Sequence, residues 1–230
     1  MRNNLNIVIF TGAGISAESG ISTFRDSGGL WERYKIEEVA TPEAWRKNPK
    51  FVLDFYNERR KQILSSNPNK AHILLAELQA KYPQTKIITQ NIDDLHERAG
   101  SCNILHLHGE IRKARSTKDE SIVLPVSGWR LDLGDLCPLG SQLRPHVVWF
   151  GEEVPAMKAA IRIIEKADVL LVIGTSLNVY PAAGLIQYAP ENCDFWIIDP
   201  NAHHMSIPGF KIICKPATEG VKEWLKIMNL

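Results

Sequence analysis

The stretch FTGAGISAESGISTFRDSGGLW, residues 10–31, follows directly on a short apolar run and is rich in glycine and serine. Gly12, Gly14 and Gly20 leave the backbone bare, so it can approach a phosphate closely and adopt positive φ. A helix that begins near Ala13 would point free N–H groups at a pyrophosphate. Arg25 can then donate a forked pair of hydrogen bonds to phosphate or ribose. The stretch predicts a phosphate-binding turn; the alternative is a tight strand-to-helix turn without a ligand.

Short apolar runs rich in β-branched residues recur after this turn, with helical patterns between several of them. The predicted strands are 6–10, 86–89, 103–108, 147–151, 169–174, 195–199 and 211–214, and the predicted helices are 70–82, 156–167 and 218–228. Apolar runs of this length are typical of strands buried on both faces, and their alternation with helices indicates right-handed βαβ crossovers. The predicted fold class is α/β, a doubly wound, Rossmann-like parallel sheet.

Two segments interrupt this alternation. Residues 32–66 have a helical, polar pattern, and residues 112–143 contain turns and short extended pieces. We expect these two segments to form one inserted small lobe, and residues 1–31, 67–111 and 144–230 to form the Rossmann-like domain. The cleft between them would lie over the carboxyl ends of the strands, where open α/β sheets bind ligands.

Composition argues against several classes of protein. The 230 residues include 27 basic and 26 acidic ones, so the net charge of +1 gives no support for nucleic-acid binding. The cluster Arg59, Arg60 and Lys61 predicts a solvated helix face. No apolar run reaches the roughly 18 residues of a membrane helix, and the first ten residues are too short and polar for a signal peptide. Together these features favour a cytoplasmic protein with no membrane and no nucleic-acid partner.

Polar residues also follow a second predicted strand, in TQNIDDLHERAG at residues 89–100. Gln90, Asn91 and Asp93 place amide and carboxylate groups where they can bind the ribose or carboxamide of a ligand. The alternative, an N-cap for the following helix, accounts for Asp93 or Asn91 but not for all three.

Two further strand ends carry candidate groups. His108, in LHLHGE at residues 105–110, can exchange a proton near neutral pH; the alternative is a purely structural histidine. Gly174, Thr175 and Ser176 end another apolar run and predict a second turn that accepts phosphate or adenosine.

Five motifs occur together in one order: GAGISAESGISTFR, TQNIDDLHERAG, HLHGE, RPHVVWFGE and GTSLNVYPAAG. In this order and spacing they resemble the sirtuin family of NAD-dependent protein deacylases, and most of all its bacterial class III, CobB-type members. The resemblance spans almost the whole chain and is weakest over residues 112–140. It implies that NAD is the cofactor, that acylated lysine side chains of proteins are the substrates, and that nicotinamide, O-acyl-ADP-ribose and free lysine are the products. Two alternatives stay open: a mono-ADP-ribosyltransferase or NAD glycohydrolase of the same fold, and a non-catalytic NAD-binding module.

The resemblance also implies roles for individual residues. His108 would be the general base, with Asn91 as a second catalytic residue, and Phe24 would shield the reactive sugar from water. The implied NAD-binding residues are Gly12, Ala13, Gly14, Glu18, Ser19, Thr23, Phe24, Arg25, Gln90, Asn91, Asp93, Gly174, Thr175, Ser176, Asp199, Asn201 and Ala217.

For the acyl group, Tyr56 and Arg59 are three residues apart and would share one helix face. Beside the small Ala40 and Ala44 they match the class III pattern for succinyl- and malonyl-lysine, which implies a desuccinylase and demalonylase that also acts as a deacetylase. The substrate peptide is expected to add as a β-strand. The residues implied there are Val148, Phe150, Gly151, Glu152, Asn178 and Tyr180.

The chain departs from the family at its zinc site. Most sirtuins hold zinc with four cysteines in the small lobe, but here Ser116 and Lys118 or Asp119 stand where the first pair is expected, and Cys137 alone represents the second. One thiolate does not make a structural zinc site, so we expect no metal. The lobe would then depend on apolar packing, for which the candidates are Ile122, Leu124, Val126, Trp129 and Leu131.

Overall fold

The computed structural model describes residues 5–23, 34–205 and 207–230, and its largest element is a six-stranded parallel sheet. The strands of this sheet are β1 (Ile7–Thr11), β2 (Lys86–Thr89), β3 (Ile104–His106), β7 (Val169–Ile173), β8 (Asp194–Ile198) and β9 (Lys211–Ile213). Their order is β3-β2-β1-β7-β8-β9, and each neighbouring pair is parallel. The predicted α/β class and parallel sheet are confirmed.

Helices and turns connect the strands. The helices are α1 (Gly14–Ala17), α2 (Ile36–Val39), α3 (Pro42–Lys47), α4 (Pro49–Ser65), α5 (Lys70–Lys81), α6 (Leu95–Arg98), α7 (Met157–Ile164) and α8 (Ala217–Met228), with short 3-10 helices at Ala182–Tyr188 and Ala202–His204. The three predicted helices correspond to α5, α7 and α8, each within three residues of its expected ends.

Both faces of the main sheet are buried, which explains the continuous apolar runs. Ile7 and Ile9 of β1 pack on one face with α5 and α8, whereas Val8 and Phe10 pack on the other with α7. Period-two alternation therefore supplies two separate apolar cores from one strand.

A second, antiparallel sheet corrects one prediction. Its strands are β4 (Gly109–Ser116), β5 (Val123–Pro125) and β6 (Leu143–Val147), in the order β5-β4-β6. The predicted strand 147–151 is wrong: the strand ends at Val147, and the chain then turns, with Gly151 at φ +89°. Phe150 donates its backbone N–H to the Ala40 carbonyl at 2.9 Å, so this segment is bonded to the residue that follows α2 and not to the main sheet.

Helix α4 corrects the prediction for the basic cluster. Arg59 is 5% exposed and Arg60 is fully buried, so this is no solvated face. Arg60 donates to the carbonyls of Ile111 and Trp129 at 2.7 and 2.8 Å. Of the three cations only Lys61 is exposed. A run of charges in the sequence does not reveal which of them find buried carbonyl partners.

The segment around β5 has a small apolar core of its own. Val126 and Leu131 are buried there as expected, with Ile122 and Leu124 partly buried against it. Trp129 lies outside this core, and its ring is in contact with the cations of Lys61 and Arg130, at 5.1 and 5.4 Å from the ring centre. The other buried members are Leu53, Ala114, Cys137 and Leu143.

Candidate active site

A cleft of about 320 Å³ lies over the carboxyl ends of the parallel strands. Strands β1, β2, β7 and β8 each deliver the residues that follow their last position, because parallel strands end at one edge of the sheet. The sequence-predicted residues that line it are Gly12, Ala13, Gly14, Thr23, Ala40, Tyr56, Arg59, Gln90, Asn91, His108, Val148, Phe150, Gly151, Glu152, Gly174, Thr175, Ser176, Tyr180, Asp199 and Asn201.

The turns after β1 and β7 touch each other through bare backbone. Gly14 donates its N–H to the Gly174 carbonyl at 2.8 Å. A Cβ on Gly14 would lie 2.6 Å from the Gly174 Cα, closer than carbon atoms can approach. Gly174 itself has φ +62°. Glycine is required here by the contact between the two turns, independently of any ligand.

Asn91 lines the cleft and is held through its backbone N–H and its side-chain amide. Its backbone N–H donates to the Thr89 hydroxyl at 3.0 Å, and its side-chain amide donates to Ser16 at 3.2 Å. The Ser16 hydroxyl in turn donates to the Asp93 carboxylate at 3.0 Å. Asp93 also accepts the backbone N–H of Leu95, two residues further along the chain, and burial raises the pKa of its carboxyl group. Ser16 is a site residue that the sequence reasoning missed.

His108 lies on the cleft wall with one ring nitrogen fixed. Its Nδ1 is 3.0 Å from the Gln90 carbonyl oxygen, which can only accept, so Nδ1 carries the proton. Nε2 is then left with its lone pair. Burial lowers the pKa of His108 below its usual value, although the bond to Gln90 opposes this, so the ring is neutral at pH 7.

The strand ends β2 and β7 are joined across the cleft. The Gln90 side chain donates to the Thr175 hydroxyl at 3.0 Å. Beyond it lie Ser176 and, after β8, Asp199, whose carboxylate accepts the Asn201 backbone N–H at 2.8 Å. This half of the cleft offers hydroxyl, carboxylate and backbone groups suited to a ribose and its phosphates.

Helix α4 also contributes to the lining of the cleft, with Tyr56 and Arg59 one helical turn apart. Both are buried, at 4% and 5% exposure. Burial lowers the pKa of Arg59 to about 10, and Asp93 opposes this shift, so the guanidinium stays charged at neutral pH. Arg59 donates to the Gln62 side chain at 2.9 Å and to the Ser22 carbonyl at 3.4 Å.

Several predicted residues lie away from the lining. Glu18 accepts the backbone N–H and hydroxyl of Thr218 at 2.9 and 2.7 Å, and Ser19 accepts from the Asn69 amide at 3.0 Å. Asp93 lies behind Asn91. The others are Ala44 and Ala217, both buried, and Asn178, which is exposed. Phe24 and Arg25 lie outside the described residues. Their assignments stay predictions.

The cleft also contains residues that the motifs did not single out. Most are apolar, and period or spacing gives no signal that separates them from ordinary core residues. They are Phe55, Ile92, Val147, Trp149, Val154, Val179, Pro181 and Met205.

Comparison with known proteins decides the family. The model of the Sir2 family matches residues 12–181. The chain belongs to the Sir2 family. An NAD-dependent protein deacylase of Bacteroides thetaiotaomicron is 50% identical, with 97% of each chain covered. One of Helicobacter pylori strain J99 is 56% identical over 88% of this chain and 86% of that protein.

Solved Sir2 structures share the fold. A Sir2 homologue in complex with NAD is 40% identical, with a TM-score of 0.86 over 97% of this chain and 89% of that one. A Sir2 structure with deacetylated p53 peptide and 3′-O-acetyl-ADP-ribose is 30% identical, with a TM-score of 0.81 over 96% of this chain and 93% of that one. The resemblance stated from the five motifs is confirmed.

The lining of this Sir2 cleft fits NAD by the chemistry of its groups. It offers backbone, hydroxyl and carboxylate groups for a dinucleotide, together with a neutral histidine and an asparagine held by Thr89 and Ser16. The glycines at 12, 14 and 174 let the two turns pack against each other without side chains between them.

The four-cysteine zinc site that the resemblance implied does not fit the residues present here. The Ser116 hydroxyl accepts the backbone N–H groups of Lys118 and Asp119, both at 3.1 Å. Cys137 and Ser141 approach it at 3.3 and 2.8 Å. Within residues 5–23, 34–205 and 207–230, no group of three histidine, cysteine or acidic residues could hold a metal. A closed hydrogen-bond cluster occupies these positions.

Proposed function

We propose that this Sir2 chain is an NAD-dependent protein deacylase that removes acyl groups from lysine side chains. The observation that carries the proposal is His108: its Nδ1 is fixed by the Gln90 carbonyl, and its neutral Nε2 is left to act in the cleft beside Asn91. The relatives named NAD-dependent protein deacylases support it.

Each residue at the floor would have a separate task. Bound NAD would supply the ribose that receives the acyl group and the nicotinamide that leaves. His108 would take a hydroxyl proton at Nε2, as a base whose pKa lies near or below working pH can do. Asn91, fixed by Thr89 and Ser16, would orient the reacting groups. Gln90, Thr175 and Asp199 would hold the dinucleotide.

We further propose that carboxylated acyl groups, succinyl and malonyl, are preferred and that acetyl is also accepted. Helix α4 contributes two polar side chains to the lining of the cleft, those of Tyr56 and Arg59. A buried guanidinium and a phenol would bind a carboxylate, whereas acetyl offers none. A hydrogen bond to a charged group contributes about 1.5–3 kcal/mol, or roughly 10- to 150-fold in discrimination.

The test is mass spectrometry of the purified protein with NAD and paired succinyl- and acetyl-lysine peptides. We expect the products to be free lysine, nicotinamide and O-acyl-ADP-ribose. We also expect Arg59→Met to lose activity on the succinyl-lysine peptide while keeping activity on the acetyl-lysine peptide. NAD consumed without change to the peptide, or ADP-ribose attached to protein, would show the proposed reaction to be wrong.

The proposed location is the cytoplasm. Cys102, Cys137, Cys193 and Cys214 are free thiols, as expected in a reducing compartment. In the described residues no helix is long and apolar enough to cross a membrane. Fractionation of cells that produce the tagged protein would test this location.

A further inference from the structure

The Tyr56 hydroxyl is engaged by one neighbour on the wall of the cleft. The indole Nε1–H of Trp149 donates to it at 3.1 Å, and both side chains are buried, at 4% and 2% exposure. An indole nitrogen can only donate, so this bond occupies the phenol oxygen as an acceptor and leaves the hydroxyl proton available. Burial raises the pKa of Tyr56, which keeps that proton on the oxygen at neutral pH.

Trp149 is itself fixed by charged neighbours. The Arg144 guanidinium lies 3.3 Å from the centre of its ring, a cation–π contact. Glu152 accepts the Trp149 backbone N–H at 2.8 Å and the Arg144 guanidinium at 2.6 Å. Burial alone would raise the pKa of Glu152, but these bonds hold it below its usual value. The carboxylate therefore stays ionised.

The direction of the free proton follows from this arrangement. In the part of the chain that the structure describes, no carbonyl or carboxylate accepts the Tyr56 hydroxyl proton. Arg59, one helical turn away, also lines the cleft. A carboxylate placed beside Arg59 could therefore also accept from Tyr56, whereas an uncharged acetyl group has no such acceptor.

We propose that Trp149 is a positioning residue for acyl specificity: its indole N–H orients the Tyr56 hydroxyl as a donor toward an acyl carboxylate bound by Arg59. This inference rests on the proposed acyl preference. Trp149 would act through Tyr56 and not by contact with the reacting atoms. The Arg144–Glu152 pair would hold the indole in place.

The test is a double-mutant cycle with Trp149→Phe, Tyr56→Phe and the double variant. Phenylalanine keeps a buried ring but removes the donor. For Trp149→Phe we expect the ratio of kcat/KM for succinyl- over acetyl-lysine peptide to fall about 5-fold, the effect of one hydrogen bond, through a higher KM for the succinyl peptide. In the Tyr56→Phe background the second substitution should change that ratio no further. Trp45→Phe is the control, because the ring centres of Trp45 and Trp149 are 5.7 Å apart. This variant should leave the ratio of kcat/KM unchanged.

A ratio that stays at the wild-type value in Trp149→Phe, or effects that add in the double variant, would overturn the inference alone. A wild-type enzyme without preference for succinyl would overturn the proposed acyl preference and this inference with it. NMR of the wild type and Tyr56→Phe gives a measurement that needs no Trp149 variant. The Trp149 indole N–H resonance should move upfield when its acceptor is removed, and an unchanged resonance would contradict the geometry.

Discussion

At the scale of single residues, buried polar groups behind the cleft fix its floor. Thr11 donates to Thr89 at 2.8 Å and lies 3.2 Å from His96 Nε2, and the His96 ring packs edge-on against His72 at 5.0 Å. Thr89 holds the backbone of Asn91. Two neutral histidines are therefore part of the support for the proposed catalytic asparagine, and neither could be separated from an ordinary helix residue by sequence pattern.

His72 should make stability depend on pH. Burial lowers its pKa from 6.5 to about 4, so the unfolded chain binds a proton that the folded chain excludes. The contribution of the neutral His72 ring to the free energy of unfolding is fully present above pH 6.5. It is lost as pH falls toward 4, and the loss is on the order of 3 kcal/mol at most. In His72→Gln, the free energy of unfolding in urea should fall less between pH 7.5 and 4.5. Glutamine can keep the bond to the Asn69 N–H in the capping box.

The exposed His203 provides a matched control. His203→Gln makes the same change of side chain at an exposed position, and its free energy of unfolding is measured over the same pH interval for comparison. If His72→Gln loses as much stability as the wild type over the same interval, the buried, neutral state of His72 is wrong.

At the scale of elements, the sequence predicted the parallel strands well and the segments between them poorly. Apolar runs such as 86–89 and 169–174 identify strands because both faces are buried. Residues 147–151 have the same composition, but their apolar side chains line the cleft and the predicted small lobe. Composition does not distinguish those two environments. The predicted glycine turns were placed correctly, whereas their contact with each other is a tertiary feature with no local signal.

The contact between the two glycine turns can be tested by Gly14→Ala. Its Cβ would lie 2.6 Å from the Gly174 Cα and 2.9 Å from the Gly174 carbonyl oxygen, so one turn must move. We expect a loss of about 1–3 kcal/mol in unfolding free energy and weaker NAD binding in calorimetry. Gly209→Ala tests backbone strain alone, since φ is +85° and no atom of residues 5–23, 34–205 and 207–230 lies within 4 Å of the added Cβ. It should leave NAD binding unchanged, and equal NAD affinity in both variants would contradict the account.

The Ser116 cluster should stabilise the small lobe in place of a metal. Ser116→Ala removes the acceptor of two backbone N–H groups and a neighbour of Cys137, in a side chain only 1% exposed. We expect a loss of about 1–3 kcal/mol in unfolding free energy. The exposed Ser121, in the same loop, gives the control Ser121→Ala, which should change it by less than about 0.5 kcal/mol.

A chelator completes that experiment. Incubation with EDTA should leave the wild-type Tm unchanged. A large fall in Tm with chelator, or a Ser116→Ala protein as stable as Ser121→Ala, would show that something other than this cluster holds the lobe.

At the scale of the whole molecule, the cleft is built from both sheets and from α4. The residues that would hold NAD follow parallel strands, and the motifs predicted them because such strands end at one edge. The proposed acyl-binding residues Tyr56 and Arg59 belong to α4, whose Asn57 and Arg60 donate hydrogen bonds to the segment at 129–131. That attachment, and the Trp149–Tyr56 bond, join residues about 70 to 90 positions apart, which is why local pattern could not predict them.

The most direct test of the central claim is the rate of NAD-dependent deacylation of an acyl-lysine peptide by the wild type and by His108→Ala, followed from pH 5 to 9. A general base contributes roughly 10²- to 10⁴-fold. We expect a loss of that size in the variant and, in the wild type, a rate that falls only below the usual histidine pKa, because burial lowers the pKa of His108. His108→Ala with the wild-type rate, or with the same fall in rate at low pH, would contradict that claim.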